Sequence, residues 1–143
     1  MLYASNFSVG VNIFFHVNKE LAKLMNNYPY YDVQVEEIHH MQKLDSPSGT
    51  AITIAEGIIE NTDSKKEWVN ILTSEGDETN YENIKNDQLL IESFRIDSVP
   101  VTHTVIYDSE VDSIEVKHTA QNRNGSALGA VLAAEWVHSK KGC

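Results

Sequence analysis

Two hydrophobic periods alternate along this chain, and they limit its fold more than any other feature. Apolar residues recur every three to four positions in three segments, which predicts helices with one buried stripe: residues 7–27, 51–60 and 125–140. Strand-like alternation or β-branched composition marks four more segments: residues 31–40, 88–96, 102–109 and 112–120. These segments predict an α+β domain in which helices cover one face of a sheet of about four strands.

The apolar residues also predict which side of each element is buried. The first helix is predicted to bury Val11, Phe14, Phe15, Leu21, Leu24 and Met25. The second is predicted to bury Ile52, Ala55, Ile58 and Ile59, and the third carries Leu128, Val131, Leu132 and Trp136. The last two strands are predicted to form a hairpin with Ile114, Val116 and His118 on one face. Residues 61–87 are mostly polar and predict an acidic surface segment.

Composition excludes several classes of partner. The chain has 143 residues and 41% apolar content, which suits one domain with its own core. Its net charge of −10 repels phosphate backbones and anionic lipid, so we expect neither nucleic-acid nor membrane partners. The single cysteine, Cys143, excludes an intrachain disulfide and a cysteine-based zinc site. The sequence shows no secretory leader pattern and no apolar run of about 18 residues, so we expect a cytoplasmic protein.

One short segment, HHMQKLDSPSGT (residues 39–50), concentrates chemically active residues. Histidine is the side chain whose ordinary pKa lies near neutral pH, and on an extended chain His39 and His40 point to opposite sides. Lys43 adds a positive charge, and residues 48–50 are predicted to begin a helix whose free N–H groups and dipole favour anions. Gly49 would allow a ligand to approach the backbone closely, and Pro47 would stiffen the loop. Together these residues predict an anion site.

Less specific interpretations of the same residues remain open. A pair of adjacent histidines is commonly structural or solvated, and a Pro-Ser-Gly-Thr sequence before a helix is commonly only a cap. Zinc binding is disfavoured because adjacent histidines lack the i, i+4 helical spacing and no carboxylate or thiol partner is obvious. We therefore predict no metal ligands.

The stretch EIHHMQKLDSPSGTA resembles the signature E-x-H-H-x-x-K-x-D-x-P-S-G-T-A of the dihydrodipicolinate reductase family. Two further segments resemble the family in the same order: ASNFSVGVN near the start and HTVIYDSEVDSIEVKHTAQNRNGSALGAVLAAEW near the end. The likeness spans nearly the whole chain and is weakest over residues 61–90. Asp97 and Val101 depart from the glycines that relatives commonly carry there, which affects the local loop shape.

The resemblance implies an oxidoreductase of the diaminopimelate and lysine pathway that reduces a cyclic unsaturated dicarboxylate with NADPH or NADH. Members of the family have an N-terminal Rossmann domain with a G-x-x-G-x-x-G loop, and none of the seven glycines here has that spacing. Residues 1–143 are therefore expected to be the substrate-binding and oligomerisation domain, without the nucleotide domain. The resemblance also implies a mixed sheet through which the domain forms a homotetramer.

By resemblance, the residues of the active segment take specific roles. His39 matches the general acid, and Lys43 matches a residue that contacts the substrate and assists protonation. Positions around the substrate carboxylates are matched by His40, Ser48, Gly49, Thr50 and Arg123. Asn6 and Phe7 match a segment near the nicotinamide, but we expect no cofactor bound to this chain alone and no turnover. Phe15 or Trp136 is expected to be exposed near the domain junction.

Two other functions remain open from the sequence. The chain could be an autonomous binding or assembly module whose histidine loop is inherited scaffold. It could also be an unrelated small-anion or phosphate-binding domain that uses the helix start at residues 48–50. The preference between NADPH and NADH is not encoded in these residues.

Overall fold

The computed structural model describes residues 6–74, 79–122 and 124–139, which contain three helices and five strands. Their bounds are α1 Val9–Met25, β1 Asp32–His39, α2 Gly49–Asn61, β2 Glu67–Ser74, β3 Gln88–Arg95, β4 Val101–Asp108, β5 Ser113–Ala120 and α3 Asn124–Ser139. Among these residues, no helix has the length and apolarity that crossing a bilayer requires.

The strands form one mixed sheet in the order β2-β3-β1-β4-β5, so β1 lies at its centre. β2, β3 and β1 run parallel, whereas β4 and β5 run antiparallel to their neighbours. The predicted α+β class, mixed sheet and closing hairpin are confirmed, with five strands rather than about four. The additional strand is β2, an edge strand whose residues are only partly buried, which explains its weak hydrophobic pattern.

Helices α1 and α2 pack together and cover one face of the sheet. The core between them and the sheet includes Phe14, Ala22, Met25, Val33, Val35, Ala51, Ile54, Ala55, Ile58, Leu89, Ile91, Val105 and Tyr107. The stripe predicted for α1 is only partly right, because Leu24 is exposed and the polar Asn18 is buried in the stripe. Asn18 is satisfied there, since its Nδ2 donates to the Ile54 carbonyl across 2.9 Å.

The buried side of α2 also differs from the prediction. Ile54 is fully buried, whereas Ile52 and Ile59 are only partly buried. The helix begins at Gly49, and its first turn aims Ala51 and Ile54 at the sheet. The predicted apolar row was therefore shifted around the helix, although the helix itself is confirmed.

Helix α3 lies against the start of α1 with little of its surface buried. Gly129 is required there, because a Cβ at this position would lie 1.5 Å from the Phe7 carbonyl oxygen. The apolar row predicted on α3 is exposed, and Trp136 is about half exposed. Phe15 instead packs against the core cluster, so of the two residues named for exposure only Trp136 fits.

Candidate functional site

The candidate site lies where the central strand β1 ends and α2 begins. His39 is the last residue of β1 and is buried, whereas the neighbouring His40 is half-buried in the following loop. The two imidazoles therefore occupy different environments, as the alternation of an extended chain requires. The loop of residues 40–48 connects them to the helix start.

The first turn of α2 is open to solvent. Ser48 is the N-cap, and its Oγ accepts a hydrogen bond from the Ala51 N–H at 3.1 Å. Gly49 is exposed, and a Cβ added there would meet no other atom within 4 Å. Packing within the chain therefore gives no reason for glycine at this position. The N–H groups of Ser48 and Ala51 are engaged by Glu37 and the Ser48 hydroxyl, so Gly49 and Thr50 are the residues of this turn whose N–H groups remain for a ligand.

Lys43 places its charge on the same loop. Its ammonium lies 2.9 Å from the exposed Asp45 carboxylate, while most of the lysine side chain is buried. The hydrogen bond from Lys43 holds the pKa of Asp45 below its usual value. A ligand carboxylate would compete with Asp45 for this ammonium.

The loop is anchored by residues that the sequence analysis did not select. Arg95, at the end of β3, is buried and donates hydrogen bonds to the carbonyls of Lys43 at 3.2 Å and Asp45 at 2.7 Å. The Ser46 hydroxyl donates to Asn70 Oδ1 at 2.8 Å. A signal for Arg95 was present, because it shares the core-facing register of Leu89 and Ile91.

Glu37 is a second residue that the sequence analysis missed, and its side chain is fully buried. Its Oε2 accepts hydrogen bonds from the Ser48 N–H at 3.1 Å and the Ser48 hydroxyl at 3.2 Å. Its Oε1 lies 2.9 Å from His39 Nε2. Burial by itself raises the pKa of Glu37, but the contacts with His39 and Ser48 outweigh it and lower the pKa below its usual value.

His103 on β4 completes this buried cluster. Its Nε2 lies 3.3 Å from Ser48 Oγ, and its ring meets the His39 ring edge to face at 5.4 Å between centroids. Burial lowers the pKa of His103 to about 4, although the nearby Glu37 charge opposes this shift. The His103 imidazole is therefore neutral at pH 7.

Metal binding at this cluster requires a separate test, because Glu37 is a carboxylate neighbour that the sequence had not revealed. Candidate ligand atoms of Glu37, His39 and His103 lie within 4.8 Å of one another. However, one Glu37 oxygen already accepts two hydrogen bonds from Ser48, and the positive end of the α2 dipole faces it. A divalent cation would meet this like-signed dipole, so the donor set fits a hydrogen-bonded network better.

The segment before α1 reaches the same helix start. Asn6 Nδ2 donates to Thr50 Oγ1 at 3.3 Å, and Asn6 Oδ1 accepts from the Ser8 N–H at 2.8 Å. A cavity of about 360 Å³ lies beside Asn6 and is lined in part by His103 and Gly125.

The structure thus groups His39 with Ser48 and joins Asn6 to Thr50. Lys43 lies on the loop between His39 and Ser48, and Phe7 packs its carbonyl against α3. Arg123, which the resemblance placed near the substrate carboxylates, lies outside the described residues.

The chain matches one family model and several known proteins. Residues 10–143 match the family described as "Dihydrodipicolinate reductase, C-terminus". The chain is 50% identical over 141 residues to a 4-hydroxy-tetrahydrodipicolinate reductase of Christiangramia forsetii, covering 99% of this chain and 54% of the relative. A relative of the same description from Rickettsia peacockii is 34% identical over 140 residues, covering 98% and 54%.

A solved structure is also similar. It is described as dipicolinate-bound dihydrodipicolinate reductase from Paenisporosarcina sp. TG-14, and it matches with a TM-score of 0.62 and 26% identity. The match covers 92% of this chain and 47% of that protein, and the chain spans about half the length of its relatives. The family match over residues 10–143 shows that the chain belongs to the dihydrodipicolinate reductase family, and it corresponds to the C-terminal part of the family's proteins.

Proposed function

We propose that this chain is the substrate-binding domain of a reductase that acts on 4-hydroxy-tetrahydrodipicolinate, a cyclic unsaturated dicarboxylate. The observation that carries the proposal is the open first turn of α2. Gly49 is exposed with open space beside it, and it follows the loop that carries Lys43 and begins after His39. A flat dianion needs at least two groups of donors, and this arrangement supplies them.

Each group has a distinct task in this proposal. The Gly49 and Thr50 N–H groups at the helix start bind one carboxylate, and Ser48, which already donates to Glu37, belongs to this subsite by resemblance. Lys43 and His40 bind the other carboxylate, together with Arg123 by resemblance. His39 supplies the proton that completes the reduction. Its Nε2 lies 2.9 Å from the Glu37 carboxylate, which gives the ring a negative partner when it carries the proton.

NADPH or NADH supplies the hydride in a reductase of this kind. Asn6 is already engaged by Thr50 and Ser8, and the chain has no glycine-rich loop for a pyrophosphate. These residues do not fit a whole dinucleotide. We therefore expect this chain by itself to bind the dicarboxylate without turnover.

Calorimetry with pyridine-2,6-dicarboxylate, a flat analogue of the substrate, tests the proposal. We expect saturable binding by the wild-type chain and an affinity loss of about tenfold or more in Lys43→Ala, because a charge-assisted contact is removed. Lys66→Ala, which removes an equal charge from an exposed position before β2, should bind like the wild type.

Two results would contradict the dicarboxylate site. One is the absence of binding heat at millimolar ligand with a folded protein, which favours an assembly module. The other is equal affinity for simple phosphate, which favours a general anion site at the helix start.

We also propose that the chain forms a homotetramer through the sheet face opposite α1 and α2. This face carries the apolar residues Ile38, Leu90, Phe94 and Ile106, which share a side by the strand register. Light scattering after size-exclusion chromatography should give four times the chain mass. A monomer at micromolar concentration would contradict this assembly.

A further inference from the structure

We propose that Glu37 is a positioning residue that orients the His39 imidazole and couples it to the carboxylate-binding turn at Ser48. This inference deepens the proposed function, because it concerns the proton donor of that same site. It assigns a role to a residue with no direct substrate contact.

The buried location of Glu37 lowers the stability of the fold unless its carboxylate has partners, so packing alone does not explain a glutamate at this position. It lies at the centre of the sheet, beside Ser93 of β3 and His103 of β4, on the face covered by helices. A carboxylate taken out of water destabilises the fold unless charged or hydrogen-bonding partners compensate it. The next core-facing residue on the same strand, Val35, shows that an aliphatic side chain fits this layer.

The two Glu37 oxygens contact two functional elements. Oε1 lies 2.9 Å from Nε2 of His39, which ends β1, and also accepts a longer hydrogen bond from the Ser48 N–H at 3.4 Å. Oε2 accepts from both the N–H and the hydroxyl of Ser48, the N-cap of α2. One carboxylate therefore joins the proposed proton donor to the turn that would bind the substrate carboxylate, and both should shift together if it is displaced.

Glu37 is the negatively charged neighbour of His39, and the nearby cationic side chains are engaged with other groups. The charged and titratable neighbours of His39 are Glu37 of β1, Arg95 of β3, which is in register with it, and His103 of β4, whose ring it meets edge to face. Lys43 of the loop and His118 of β5 act on His103. Arg95 directs its guanidinium to backbone carbonyls, and Lys43 pairs with Asp45. Among the described residues, Glu37 is thus the carboxylate in contact with this ring.

Glu37→Gln removes the negative charge of the side chain and keeps its size, so it tests the charge alone. The glutamine oxygen can still accept from the Ser48 N–H, while the negative charge next to His39 is lost. We expect the His39 ring ¹⁵N signals to move, because the ring loses its charged partner at 2.9 Å. Dicarboxylate affinity should fall about tenfold at pH 7.

Two variants provide the comparison. Glu37→Asp retains the charge and should keep the wild-type ring signals, as should Glu36→Gln, which changes the adjacent glutamate on the opposite face. A folded Glu37→Gln variant with wild-type His39 signals would overturn the proposal.

A measurement on the wild-type chain covers the case in which Glu37→Gln does not fold. The Glu37 γ protons should show nuclear Overhauser contacts with the His39 ring protons that flank Nε2, because the two side chains lie in contact. Absence of these contacts in the folded protein would overturn the proposal. None of these spectra requires ligand, so a failure of the dicarboxylate site appears separately, as absent binding heat in the wild type.

Discussion

Glu36 and Glu37 are adjacent in the sequence, and the two faces of the sheet treat them in opposite ways. Glu37 faces the helices, and contacts with His39 and Ser48 lower its pKa despite full burial. Glu36 faces the other side, where burial and the nearby Glu92 raise its pKa. A glutamate side chain is therefore stabilised in its charged form on the helix-covered face and destabilised in that form on the opposite face.

The contacting groups, rather than burial, therefore decide whether a glutamate of this sheet is stabilised in its charged form. On the helix face, a carboxylate meets an imidazole and the positive end of a helix. On the opposite face, Glu36 lies beside Glu92, whose carboxylate accepts a hydrogen bond from the Tyr81 hydroxyl at 2.6 Å. The predictions below test this contrast.

The largest effect is expected at His103, which lies directly beside Glu37 in the strand register. Its pKa of about 4 in the folded state is below the usual 6.5, so the unfolded chain takes up a proton first as the pH falls. The free energy of unfolding should therefore decline between pH 6.5 and pH 4, by about 2 to 3 kcal/mol at pH 4.5. Urea unfolding at pH 7.5 and 4.5 measures this decline.

His103→Gln provides the control, because an amide does not titrate. The decline between the two pH values should be smaller in this variant by the same amount. An identical decline in both proteins would show that His103 is not held neutral by burial.

Removing the charge of Glu37 should have the next largest effect. The lowered pKa of Glu37 means that its contribution to stability is present above the unfolded-state pKa and is lost as the pH falls through the folded-state value. Glu37→Gln should lower the free energy of unfolding by about 2 kcal/mol at pH 7, because charged hydrogen bonds are lost. Urea unfolding should show that this deficit shrinks below about pH 4.

Glu36→Gln should act in the opposite direction and more weakly. The raised pKa of Glu36 means that its ionised form costs stability at neutral pH, and this cost disappears as the pH falls. Thermal unfolding should show a gain of less than about 1 kcal/mol at pH 7, which disappears near pH 4. A loss of stability at pH 7 would break the contrast between the two faces.

The smallest effect is expected at Asp45, an exposed carboxylate that pairs with Lys43. Asp45→Asn should free the ammonium for a ligand and raise the affinity for pyridine-2,6-dicarboxylate by about two- to fivefold. Calorimetry at low salt measures the change, which should vanish in a Lys43→Ala background.

The sequence was sufficient where local periodicity decides the structure. The helices, β1 and the closing hairpin have strong periods, so their existence was predicted. β2 was missed because Glu67, Asn70 and Thr73 interrupt its apolar residues on a partly exposed edge. The burial of Asn18 depends on a carbonyl of α2, and no local pattern contains that contact.

In the candidate site, too, the residues that are close in sequence were predictable and those brought together by strand pairing were not. The loop with His39, Lys43 and Ser48 was recognisable because its residues are close in sequence. Glu37 lies two residues before His39 and in register with it, so alternation could have placed it inward. The roles of Arg95 and His103 depend on pairing between distant strands, which sequence periodicity does not specify.

The most direct test of the dicarboxylate site is a ¹H–¹⁵N spectrum of the chain recorded during titration with pyridine-2,6-dicarboxylate. The account predicts saturable shifts of the Gly49 and Thr50 amides with the same midpoint as the Lys43 side-chain signal, while Val69 in β2 remains unchanged. Unchanged Gly49 and Thr50 amides at millimolar ligand, in a folded protein, would contradict it.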